Sequence, residues 1–107
     1  GLLTGKYAKG AVPKNSRMAI TDTLGGRNTE RAHAAAASYV SVAQKYGLDP
    51  VHMALAWCVG RPFMASSIFG ATRKDQLLHI LKGADLKLSK EILVELNVVH
   101  QAYPMPY

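Results

Sequence analysis

Apolar positions recur at helical spacing over residues 29–46, where Ala32, Ala35, Ala36, Tyr39, Val40 and Ala43 follow the i, i+3, i+4, i+7 track of one helix face. Asn28 or Thr29 stands where an N-cap belongs, and Gly47 is placed to end the helix as its C′ residue. A second helix is predicted over 50–59, capped by Asp49, with Pro50 at the first helical position, where a missing N–H costs nothing. Its residues Met53, Ala54, Leu55, Ala56, Trp57 and Cys58 are apolar nearly all round, which predicts burial on more than one side; Gly60 and Pro62 end it. A third helix spans 73–82, with Leu77, Leu78, Ile80 and Leu81 as its apolar face and Gly83 as its stop. Ser89 caps a last helix over 90–101. There Ile92, Leu93, Leu96 and Val99 point inward, and Tyr103 and Tyr107 are placed to pack the tail down.

Two stretches break this helical rhythm. Ser67-Ile68-Phe69 has the β-branched and aromatic content of a strand, predicted over 66–69 and followed by the Gly70 turn. Residues 1–27 show no period and are punctuated by Gly5, Gly10, Pro13, Gly25 and Gly26. They read either as a binding loop that stays mobile until an anion orders it or as a plain disordered terminus. A single buried strand leaves its N–H and C=O groups unpaired, so 66–69 needs neighbours from elsewhere. The order helix, buried helix, strand, helix is the tail of a βα repeat.

Composition narrows the picture. The 107 residues suit one small domain, and 49% hydrophobic content argues against disorder. No signal peptide or long apolar span is seen, which predicts a soluble, cytoplasmic protein with no membrane partner. The chain opens without Met inside an apolar run, which suggests a fragment. The net charge is +6, and residues 1–31 hold Lys6, Lys9, Lys14, Arg17, Arg27 and Arg31 against Asp22 and Glu30. Such a balance favours an anionic partner. Cys58 reads as a small buried hydrophobe.

Candidate chemistry gathers at Gly70–Lys74. Thr72 is a good N-cap and, with Asp75, makes a capping-box-like pair. Arg73 and Lys74 are cations in a first helical turn, where they oppose the helix dipole. Two readings stand side by side: a phosphate held by Thr72, Arg73 and the turn amides, or two solvated cations behind an ordinary cap. Seven acids and four histidines show no metal-ligand spacing, so no metal is expected. His33 is expected on the surface without a partner, His52 exposed, and His79 partly exposed. The first two helices with their Gly47 turn have the outline of a helix-turn-helix, but the second carries no Arg or Lys until Arg61, which argues against nucleic acid.

The chain resembles the aldo-keto reductases, in the branch that also holds the potassium-channel β-subunits. The blocks that carry the resemblance are Gly1-Leu2-Leu3-Thr4-Gly5-Lys6-Tyr7, Tyr46-Gly47-Leu48, Ala54-Leu55-Ala56-Trp57-Cys58, Ser67-Ile68-Phe69-Gly70-Ala71-Thr72, Gln76-Leu77, Leu88-Ser89, His100 and Tyr103-Pro104. The resemblance implies an α/β fold, the C-terminal part of a (β/α)8 barrel, in which 1–27 is a cofactor loop and 28–107 holds helices and the last barrel strand. It implies NADP(H) as cofactor and hydride transfer to a small aldehyde or ketone. Gly1 and Lys6 would lie along the pyrophosphate, and Arg17 would reach over the cofactor. Gly70, Thr72, Arg73 and Gln76 would surround the 2′-phosphate. Ile80 and His79 depart from the family pattern, Ile80 standing where an adenine-contacting Asn is usual. The family's catalytic tetrad has no counterpart here, so no residue is assigned a catalytic role and the isolated chain is expected to be inactive. The alternatives are a non-catalytic NADPH-holding interaction protein or a basic helical nucleic-acid-binding module. The exposed apolar faces of a barrel piece would favour self-association.

Overall fold

The computed structural model describes residues 1–107 and consists of helices and turns. Two 3-10 turns, Leu2–Thr4 and Ala8–Gly10, precede five α-helices: α1 Arg17–Ile20, α2 Glu30–Lys45, α3 Pro50–Val59, α4 Lys74–Leu81 and α5 Lys90–Ala102. Side-chain caps set the starts of α2, α3 and α5. Thr29 accepts from the Ala32 N–H at 3.1 Å, Asp49 from the Val51 N–H at 2.8 Å, and Ser89 from the Ile92 N–H at 3.4 Å. Gly47 follows α2 with φ of 64°, the left-handed conformation that a side chain resists.

Helix α2 is the hub, packing on α5, α3 and the Leu2–Thr4 turn. Val42 and Ala43 of α2, Met53 of α3, and Ile92 and Leu96 of α5 form the buried cluster, with Tyr39, Tyr46, Leu48, Leu88 and Val99 around it. Glu95 of α5 fastens the same pair of helices, accepting from Lys45 and, at 2.7 Å, from the Tyr46 hydroxyl. The tail folds back onto the start of α2. Thr29 Oγ1 donates to the Pro106 carbonyl at 2.9 Å, Arg31 donates to the Ala102 carbonyl at 3.1 Å, and the Arg31 and Arg27 guanidinium groups sit over Tyr103 and Tyr107.

Three expectations are corrected. No strand forms at 66–69, because a strand exists only by pairing and no other segment of this chain is a strand. Residues 1–27 are not structureless: the ring of Tyr7 is buried, its hydroxyl accepts from the Met18 N–H at 3.3 Å, and Ser16 caps α1. One satisfied aromatic anchors the segment, which a search for periodicity does not detect. Helix α3 is buried on one side only, with Met53 its sole fully buried residue. Its other apolar side chains border an open groove of about 280 Å³ lined by Leu55, Ala56, Val59, Phe69, Ile80 and Leu81.

Candidate functional site

The turn into α4 starts one residue later than the capping motif predicts. Arg73, not Thr72, is the N-cap residue, and no side chain caps the helix. Gln76 Oε1 accepts instead from the Thr72 N–H at 3.0 Å and from Thr72 Oγ1 at 3.2 Å. Asp75 is drawn away from any capping box by the Arg73 fork, whose Nε and Nη2 each donate to one carboxylate oxygen at 2.9 Å. Two charge-assisted bonds outweigh the single bond of a cap. The Arg73 guanidinium holds the Asp75 carboxyl down at about 2. Arg73, Thr72 and Gly70 are exposed and Gln76 half-buried. A side chain added at Gly70 would meet no atom within 4 Å, so the chain's own packing does not demand glycine there. The open face of Gly70, the Thr72 hydroxyl and the exposed Arg73 fork suit an anion, which would draw Arg73 from Asp75.

A second group forms at the Tyr7 anchor. Gly1 lies on the Tyr7 ring, since a Cβ there would fall 2.9 Å from Tyr7 Cε2. The Lys6 ammonium sits 5.1 Å from the centre of the same ring. Arg17 precedes Met18, whose N–H reaches the Tyr7 hydroxyl. Gly1, Lys6 and Arg17 thus share one basic corner. No hydrogen bond or ion pair joins this corner to the Gly70–Gln76 turn. Burial alone would raise the Tyr7 phenol, but the Met18 N–H, Ser16 and Lys6 outweigh it and set the pKa below its ordinary value.

The histidines are better partnered than their sequence positions predict. His33 Nε2 lies 2.7 Å from Asn28 Oδ1. His52 is half-buried, its Nε2 2.6 Å from the His79 carbonyl oxygen. The two imidazoles stack with centres 4.8 Å apart, and His79 Nε2 lies 2.9 Å from Asp49 Oδ2. Burial would raise the Asp49 carboxyl, but the His52 and Val51 N–H groups, then His79 and His52, bring it below its ordinary value. Asp49 and His52 stand three residues apart at the start of α3, a spacing that by itself does not single them out, and His79 arrives from 27 residues away with no local signal. Ile80 lines the apolar groove.

These features define a helix-rich segment with a basic corner and a polar turn at a helix start, its apolar groove open on one side. The chain belongs to the aldo/keto reductase family, whose model matches residues 1–99. It is 42% identical over 106 residues to Protein tas of Escherichia coli (strain K12), an alignment covering 99% of this chain and 31% of that protein. It is 32% identical over 109 residues to a probable voltage-gated potassium channel subunit beta of Oryza sativa subsp. japonica, covering 97% of this chain and 33% of that one. A probable subunit beta of Arabidopsis thaliana is 33% identical over 109 residues. The chain therefore spans about a third of the length of the curated relatives it matches. The family is one of oxidoreductases with a (β/α)8 barrel fold. No helix is long and apolar enough to cross a membrane.

Proposed function

We propose that this chain is the cofactor-clamping, C-terminal portion of a cytoplasmic NADP(H)-dependent oxidoreductase that reduces aldehydes or ketones. The observation that carries the reading is the turn at Gly70–Gln76. There an open glycine, the Thr72 hydroxyl and the Arg73 fork gather at the start of α4 in a chain of the aldo/keto reductase family. In this reading Gly70, Thr72, Arg73 and Gln76 hold the 2′-phosphate, Gly1 and Lys6 hold the pyrophosphate, and Arg17 closes over the cofactor. The bound nicotinamide supplies the hydride. The proton donor and the carbonyl pocket belong to residues outside this chain, so the chain alone binds without turning over. Residues 66–69 pair as a barrel strand only beside strands from the rest of such a protein, and alone the open apolar groove drives self-association.

The test is a titration with NADPH and NADH, run on this chain and on a family-length parent. Arg73→Ala is expected to weaken NADPH about tenfold or more, the worth of one charge-assisted contact, and to leave NADH unchanged. Equal binding of both cofactors by the parent would remove the 2′-phosphate assignment. A second reading, a cofactor-holding interaction protein without catalysis, is favoured by the likeness to proteins named as potassium channel subunits. A parent that holds NADPH yet reduces no aldehyde or ketone would decide for it. A nucleic-acid partner is disfavoured because α3 carries no Arg or Lys and Arg61, just beyond it, is engaged 4.7 Å over the Trp57 ring.

A further inference from the structure

We propose that Asp49, His52 and His79 form a binding site for a divalent transition-metal ion, zinc in the first instance, which staples the start of α3 to α4. One ligand atom from each of the three residues lies within 4.8 Å of the other two. Tetrahedral ligands around zinc stand about 3.4 Å apart, so the set closes when the two stacked imidazoles splay and turn their ring nitrogens toward a common point. Existing contacts predispose the ligands. His52 donates from Nε2 to the His79 carbonyl at 2.6 Å, which fixes its tautomer and leaves the Nδ1 lone pair free. Gly83 packs against the same imidazole so closely that a Cβ there would fall 2.3 Å from His52 Cγ, and the ring is held in place. Asp49 spends Oδ1 on the cap amides of Val51 and His52 and turns Oδ2 to His79 Nε2 at 2.9 Å. A metal ion would replace the proton that now lies between that oxygen and that nitrogen.

The donor chemistry selects the ion. Two imidazoles and one carboxylate suit zinc, cobalt, nickel or copper, whereas calcium and magnesium take all-oxygen shells. Three protein ligands leave a coordination position open, and the half-exposed His79 side chain gives solvent access to it. The site needs no cofactor and does not depend on the oxidoreductase reading.

The test is calorimetric titration of the full chain with zinc chloride at neutral pH, with cobalt absorption as a second readout. One equivalent of zinc is expected to bind, and cobalt to give the absorption of a tetrahedral nitrogen–oxygen site. His79→Gln, at an exposed position, and Asp49→Asn, which keeps a good N-cap, are each expected to weaken binding at least about tenfold. The double variant His33→Gln/His100→Gln is expected to bind like the parent chain. Circular dichroism establishes that each variant keeps its helices. Zinc binding that survives both His79→Gln and Asp49→Asn, or a parent chain with no stoichiometric site, would overturn the proposal.

Discussion

The core shared by α2, α3 and α5 and the stretch from Trp57 to Leu81 are both rich in apolar residues and fare oppositely. In the first, Val42, Ala43, Met53, Ile92 and Leu96 bury one another, Ser89 caps α5, and Glu95 joins the helices. In the second, Phe63 is 80% and Ile68 95% exposed, and Leu78 and Leu81 of α4 face solvent. Burying such side chains is worth roughly 1.5–3 kcal/mol each, so a chain does not leave them outside when a partner is at hand. The difference is one of partner supply. The first region finds its partners inside the chain; the second is patterned for neighbours the chain does not contain, in keeping with a length about a third of its relatives'.

The largest test of that contrast compares truncations. Met53→Ala and Leu96→Ala are expected to destabilise this chain by about 2–5 kcal/mol, whereas Ile68→Ala stays within about 0.5 kcal/mol, read by urea unfolding. In a family-length protein the Ile68→Ala cost is expected to rise to the core range; if it stays small there, Ile68 has no neighbour to find. Next in size is Gly83→Ala, whose Cβ would overlap the near end of the His52 side chain, not a flexible tip. It is expected to cost about 1–3 kcal/mol and to break the His52–His79 contact, seen as changed imidazole resonances.

Capping separates the regions at the next level down. Ser89→Ala is expected to cost about 0.5–2 kcal/mol, because the cap of α5 is made by that hydroxyl. Helix α4 has no such cap to lose, so Arg73→Ser is expected to raise thermal stability slightly while abolishing selectivity for NADPH over NADH. A variant with unchanged stability and unchanged selectivity would show that Arg73 has no duty at that helix start.

The same division governs what was legible in the sequence. The helices 29–46, 50–59, 73–82 and 90–101 match α2 to α5 within a residue at each end, because local periodicity and caps at Thr29, Asp49 and Ser89 are properties of adjacent residues. Residues 66–69 have the composition of a strand yet form none, because a strand is a relation between segments and cannot be read from one. The Tyr7 anchor leaves no sequence signal, because its hydroxyl contact lies 11 residues away and repeats nothing. At the candidate site the residue types at Thr72, Arg73 and Gln76 were legible, but their pairing was not. Nothing local ranks an Arg73–Asp75 fork above a Thr72 cap until the geometry allows two bonds at once.

Acid distinguishes the two regions by the smallest effect. Glu95 and Asp75 both have lowered pKa values, Glu95 through Lys45 and then Tyr46, Asp75 through Arg73. A carboxyl lowered on folding stabilises the native state above its ordinary pKa, and that contribution fades as pH falls through the folded value. Glu95 spans two helices, so its loss below about its ordinary 4.5 is expected to appear in global unfolding. Lys45 is raised by the same contact, and its share fades as pH climbs past its ordinary 10.5. The pair therefore predicts a plateau of stability between those limits, and Glu95→Gln is expected to flatten both flanks. Asp75 pairs with a residue two positions away, so Asp75→Asn is expected to leave the unfolding profile as it was. What it releases is Arg73, and NADPH affinity is expected to rise. If Asp75→Asn moved the acid flank of unfolding as Glu95→Gln does, α4 would be as firmly part of the core as α5, and the contrast between the two regions would fail.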